Sequence, residues 1–158
     1  MIIVRKSEER RHIMAGTQNT WMTFDWENAG DKLREGFGVL KVFNEEILSP
    51  GRGFILHTHK DMVVVTYVQE GVVVYNGPGD KTGLLEPGEF QQVKITAEAQ
   101  QFTFNALPDD EAHVFQSGFA PGTGTEELKE QKKLFTLAER RGILRLIASP
   151  DGKEASLK

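Results

Sequence analysis

The sequence predicts an all-β protein, a small barrel or sandwich, and three observations predict it. Short runs rich in Val, Phe, Ile and Thr recur from about residue 20 to 120. Glycine-bearing turns separate them, which is the spacing of a closed or two-layered β fold. One run, 62–68 (MVVVTYV), is apolar on both faces, the mark of a central strand covered on each side. At 158 residues, 39% hydrophobic and 27% charged, the chain has the size and composition of one compact domain with a real core.

In chain order, residues 21–26 alternate Met22, Phe24 and Trp26 against Trp21, Thr23 and Asp25, and 37–43 repeat the pattern; both read as strands. After the central run, Gly71 opens a second one over 72–75. Asn76-Gly77-Pro78-Gly79-Asp80 then supplies residues that fix a bend or tolerate positive φ, so a tight hairpin or short loop is expected. Glu86-Pro87-Gly88-Glu89 fits a type II turn, with proline preset at the second position and glycine at the third. Strands are expected over 90–95, 101–106 and 112–119. Pro121-Gly122-Thr123-Gly124 breaks the composition, and 126–141 is charge-rich without strand alternation. A short helix capped by Thr125 and ended by Gly142 is expected there, followed by a strand over 143–148 and the turn Ser149-Pro150-Asp151-Gly152.

Composition excludes several functions. A net charge of −4 gives no basic field, and Arg5, Lys6, Arg10 and Arg11 are interleaved with Glu8 and Glu9, so direct nucleic-acid binding is disfavoured. The absence of cysteine removes disulfides, zinc thiolates and thiol nucleophiles, leaving nitrogen and oxygen to hold any metal. No apolar stretch approaches the roughly 18–20 residues of a spanning helix, so no membrane role and a cytoplasmic location are expected. Gly122-Thr123-Gly124-Thr125 lacks the lysine and spacing of a phosphate loop and reads as a linker. No serine sits in a nucleophile-elbow context. Trp21, Phe24, Trp26 and Phe54 read as core.

The chemistry concentrates at His57-Thr58-His59, just ahead of the central run. Residues i and i+2 of a strand share a face, so two imidazoles so placed can converge on one ion. Gly51 lies six positions before His57 and Gly71 closes the strand, the outline of the first cupin motif. The segment GFILHTHKDMVVVTYVQEG, residues 53–71, resembles the signature of the pirin family. WMTFDW, FGVLKVFNEE, PGEFQ and LRLIASPDG resemble further pirin-like segments in the same order, so the likeness covers nearly the whole chain.

That resemblance implies a cupin, a double-stranded β-helix or jelly-roll barrel, with a short helical or irregular C-terminal segment. It implies an N-terminal barrel over 1–121, and over 122–158 a connecting segment and final strand leading toward a second cupin that this chain lacks. Relatives in the family are bicupins. Some bacterial members are quercetin 2,3-dioxygenases, and the mammalian protein is a nuclear, iron-containing transcriptional cofactor. Covering faces that relatives bury within one chain would make a homodimer the economical assembly.

In the family three histidines and one glutamate hold the iron. His57 and His59 match the first two, whereas Gln101 stands where the third histidine belongs and Thr103 where the glutamate belongs. An amide carbonyl and a protonated hydroxyl are weak donors beside an imidazole and a carboxylate, and the charge offsetting the ion is lost with them. Val63 replaces a usual glutamate, so the lining becomes more apolar. Glu98 reads as a solvated loop acid, His113 as a packing residue beside the site, and His12 is given no role.

Three functions remain open at this point. One is a cupin with a degenerate metal site that binds a small molecule, with a small aromatic ligand as candidate, or a protein partner. Another is a quercetin 2,3-dioxygenase-like enzyme whose Fe, or another divalent ion such as Zn, Ni or Cu, is held by His57, His59 and Gln101. The last is a dimerisation or regulatory module with a vestigial, metal-free pocket.

Overall fold

A computed structural model of the chain describes residues 4–16, 18–24, 34–56, 61–96, 101–122 and 130–158. These residues form two antiparallel sheets and one short helix. The larger sheet is built from β1 (Arg11–Ala15), β2 (Gln18–Met22), β3 (Leu40–Leu48), β5 (Met62–Glu70), β8 (Glu89–Ile95), β10 (Ala112–Phe119) and β11 (Gln131–Leu134). Its order is β1-β2-β3-β10-β5-β8-β11. The smaller sheet, in the order β4-β9-β6-β7, uses β4 (Gly53–Leu56), β6 (Val73–Gly77), β7 (Lys81–Leu85) and β9 (Phe102–Ala106). The all-β, cupin-like expectation therefore holds. No helix among the described residues is long and apolar enough to cross a membrane.

Alternation explains which residues fill the space between the sheets. Met62, Val64, Thr66 and Val68 of β5 point inward, as do Ala112, Val114 and Gln116 of β10, and all are buried. From the smaller sheet Phe54, Val73, Leu85, Phe102, Phe104 and Ala106 meet them in one apolar cluster. Phe104, fully buried, stacks on Phe54 at 5.2 Å between ring centroids and lies 6.4 Å from Tyr75. The central position expected for β5 is realised: it pairs with β10 on one side and β8 on the other.

Two glycines are required by backbone geometry. Gly71 has φ +72°, and a Cβ there would lie 2.1 Å from the Glu111 carbonyl oxygen, so no side chain fits where β5 turns toward β6. Gly88 has φ +92° in the turn Glu86-Pro87-Gly88-Glu89, closed by the Glu89 N–H on the Glu86 carbonyl at 3.0 Å, which is the type II turn the sequence predicts. The Asn76–Asp80 bend also forms as expected: Gly77 pairs with Lys81 across a three-residue loop.

Differences from the sequence reading occur at edges. The strand expected over 37–43 begins only at Leu40, because Phe37 and Leu40 exchange both backbone hydrogen bonds across a turn. β1 and β7, which the sequence reading did not identify, are short edge strands. Residues 131–134 pair with β8 instead of joining a helix, so the helix shrinks to α1 (Leu137–Arg140). Its cap is Thr136, in a capping box with Glu139; Thr125, the expected cap, lies outside the described residues. Gly142, at φ +72°, follows the helix end as expected. The strand expected over 143–148 is not formed: only Ala148 makes a bridge, to Leu157. β11 occupies the β8 edge, and Ile147 and Ala148 of this apolar segment instead wall a groove on the larger sheet.

Candidate functional site

His57 and His59, the predicted ligand pair, lie outside the described residues, as do Glu98, Trp26 and the linker residues Thr123, Gly124 and Thr125. The chain leaves β4 at Leu56, and the rung Leu56↔Phe102 marks that end of the β4–β9 pair. Gln101, exposed, directly precedes β9 at this end. Thr103 follows on the next rung, opposite Ile55 on one side and Asn76 on the other. Since Phe102 and Phe104 turn into the core, Gln101 and Thr103 share the opposite face of the strand. There the Asn76 amide donates to the Thr103 hydroxyl at 3.3 Å. This corner thus presents an amide and a hydroxyl, both neutral. Among the described residues no group of three or more His, Asp or Glu is placed to hold a metal ion.

Val63 is not brought to this corner. It lies on β5 opposite Lys94 and Phe119, on the face shared with Val65 and Tyr67, which is the outer face of the larger sheet. An apolar groove of about 550 Å³ opens on that face, floored by Phe43, Val65, Tyr67, Phe90, Phe115 and Phe119 and walled by Ile147 and Ala148. The signal for it was present in the sequence: the apolar residues on both faces of 62–68 cover the core with one face and floor the groove with the other.

His113 and His12 both have packing partners. His113 Nε2 lies 2.9 Å from Glu45 Oε1, and its ring sits 4.9 Å from Phe115. Arg10 Nη1 donates to the second Glu45 oxygen at 2.5 Å. His12 stacks on Trp21 at 4.4 Å, with 7° between the rings. Sequence reasoning singled out neither Arg10 nor Glu45, whose 35-residue separation leaves no local pattern to read.

Burial alone would raise the Glu45 pKa, but hydrogen bonds from Arg10 and His113, reinforced by their charges, outweigh it and hold the carboxyl below the ordinary glutamate value. A depressed folded pKa contributes stability that is present above the unfolded value and is lost as pH falls through the folded one. Stability should therefore decline on acidification below the usual glutamate range, and Glu45→Gln should flatten that decline. Urea unfolding between neutral and strongly acidic pH measures it; an unchanged acid limb in the variant would refute the assignment.

A polar layer crosses the barrel interior. Asn44, Gln116, Thr66 and Gln91 occupy one rung across four strands, and the last three are at most 2% exposed. Gln91 Nε2 donates to Glu130 Oε1 at 2.8 Å. The Tyr75 hydroxyl joins the same network; burial first, then the Glu130 charge, pushes its pKa up. Among the described residues Asn44 Oδ1 and Gln91 Oε1 find no donor, although an orphaned buried acceptor costs about 1–3 kcal/mol.

Comparison with known proteins places this architecture. The family described as Pirin matches residues 5–117. This chain belongs to the pirin family. It is 30% identical over all its 158 residues to the quercetin 2,3-dioxygenase of Escherichia coli strain K12, covering 67% of that protein. The structure of the bacterial pirin YhhW from Escherichia coli in complex with nickel(II) superposes with a TM-score of 0.82 at 28% identity, over 99% of this chain and 66% of that one. Escherichia coli YhaK, at 22% identity and a TM-score of 0.66, shares the fold. The chain thus spans about two thirds of the length of these pirin relatives.

Proposed function

We propose that this protein is a pirin-like binding module whose metal site has lost the donors for oxygen chemistry, and that it binds a small molecule or a protein partner instead of cleaving flavonols. The observation that carries this reading is the neutral corner at the end of β4 and β9, where Gln101 and an Asn76-bonded Thr103 stand in the places of the family's third histidine and glutamate. Tested on that donor set, an iron dioxygenase centre does not fit. Two imidazoles and an amide leave a divalent ion without the carboxylate that neutralises its charge, and a hydroxyl already receiving an amide proton is a poor substitute. What remains suits weak binding of an imidazole-preferring ion such as nickel, the metal in the Escherichia coli pirin complex.

The test is elemental analysis of untagged protein after loading with Fe(II) or Ni(II) and gel filtration, paired with a quercetin consumption assay. The protein should retain substoichiometric metal and consume quercetin no faster than His57→Ala. Stoichiometric iron that His57→Ala removes, together with quercetin turnover, would establish the dioxygenase reading instead.

A further inference from the structure

We propose that the outer groove of the larger sheet is a binding site for a planar aromatic carboxylate, apart from the corner that holds Gln101 and Thr103 and independent of His57 and His59. The groove lies on the far side of β5 from the core. Its volume of about 550 Å³ falls within the usual range of small-molecule sites, roughly 300–1,000 Å³. Its floor is a continuous aromatic surface. Phe43 lies 6.4 Å from Phe115, Phe115 lies 6.2 Å from Tyr67, and Tyr67 stacks on Phe90 at 4.4 Å, with at most 29° between the planes of each pair. Rings so nearly parallel are stacked on one another, and their free edges can meet the face of a flat guest in T-shaped contact.

Charge decides which flat guest. Arg140, at the end of α1, is fixed by two hydrogen bonds, Nε to the Phe135 carbonyl at 3.1 Å and Nη1 to the Tyr67 hydroxyl at 2.8 Å, and its guanidinium sits 5.6 Å from the Tyr67 ring centroid. Among the described residues none of its contacts is a carboxylate. This half-buried cation sits beside Tyr67 of the groove floor and forms no ion pair among the described residues. Tyr67 completes the head group. Its oxygen accepts from Arg140, which leaves its own O–H to donate, and no acceptor for that proton is present among the described residues. Two neighbouring donors, one charged, beside an aromatic floor complement a carboxylate joined to a ring system, and a charge-assisted bond beside an apolar surface is stronger than its solvated counterpart.

The probe is 2-naphthoate, titrated calorimetrically against the full chain, with the neutral isostere 2-naphthamide as control. Naphthoate should bind about tenfold or more tighter than the amide, the ratio expected of one charge-assisted hydrogen bond. Arg140→Met and Tyr67→Phe should each lose most of that preference while leaving naphthamide binding unchanged. Ser117→Trp, which fills the groove from β10, should abolish binding of both without shifting thermal unfolding. The double variant His57→Ala/His59→Ala should bind naphthoate like the parent, so this outcome is read separately from the metal-site proposal. Equal affinity for acid and amide, or retention of the preference in both Arg140→Met and Tyr67→Phe, would overturn the site. So would sedimentation showing a dimer that Ser117→Trp dissolves, because a second copy would then occupy the groove.

Discussion

Replacing Gln101 with histidine and Thr103 with glutamate together should raise the affinity for Ni(II) by about a hundredfold or more, since groups that merely orient metal ligands already change affinity about 10–100-fold. The two positions share one face of β9, opposite Phe102 and Phe104, so the new imidazole and carboxylate would project together. They would do so at the end of the pair where the chain leaves β4 toward His57 and His59. The carboxylate supplies the negative charge that the amide and hydroxyl lack, and the Asn76 amide, which now donates to the Thr103 hydroxyl, is placed to donate to it. Each single variant should give a smaller gain, because an ion needs both the third strong donor and the charge. The restored site should also weaken below about pH 6 as imidazoles protonate. Calorimetric titration with Ni(II) across pH measures both effects. A double variant that folds and gains nothing would show that these positions do not face the paired histidines, and the degenerate-site reading would lose its basis.

The same variant separates a lost donor set from a lost pocket. If metal affinity returns and the iron-loaded protein then consumes quercetin, the barrel has kept a substrate cavity and only the ion's grip was lost. If affinity returns without turnover, the lining has diverged as well.

Much of the barrel was legible because β structure writes its burial into alternation. The central run at 62–68 and the strand at 112–119 emerged nearly as read, since each is flanked by strands on both sides and must be apolar where the core requires it. The turns at Glu86-Pro87-Gly88-Glu89 and at Gly71 were legible for a different reason: only glycine tolerates their backbone angles. Edge strands were not legible. Arg11–Ala15 and Lys81–Leu85 have one free edge and a largely solvated face, so little in their composition separates them from loops. Residues 143–148 failed in the opposite direction. Their β-forming composition is real, but a strand exists only where the chain path lays it alongside a partner edge, and no single-segment pattern reports that.

The site was legible in part, and the boundary is again physical. Gln101 and Thr103 could be judged as donors from residue chemistry alone, and the structure adds that Asn76 engages the threonine hydroxyl. The placement of Val63 could not be judged so, because an apolar residue in a strand apolar on both faces carries no mark of which face it serves. The Arg10–Glu45–His113 cluster and the Arg140–Tyr67 head group were invisible for a further reason. Their members lie on different strands, just ahead of β1 or on a four-residue helix, and only the tertiary fold brings them together.

Phe104→Ala should cost about 3–5 kcal/mol, the usual range for a large aromatic truncated in a packed core, and so lower the melting temperature by roughly 10 °C. Phe104 is fully buried at the centre of an aromatic stack with Phe54, Phe102 and Tyr75. The space it leaves cannot collapse easily. β9 is pinned by ladders to β4 on one side and β6 on the other, so the smaller sheet cannot sag locally without breaking register. Ile55→Ala, one rung away but 53% exposed, should cost far less, and comparing the two isolates cavity formation from loss of strand propensity. Because Phe104 neighbours Thr103 on the same strand, its loss should also loosen the Asn76–Thr103 contact, seen as faster amide exchange along β9 than along β10. Urea unfolding of both variants settles the energetic part: a Phe104→Ala penalty no larger than that of Ile55→Ala would mean that the two sheets are not locked together by this stack.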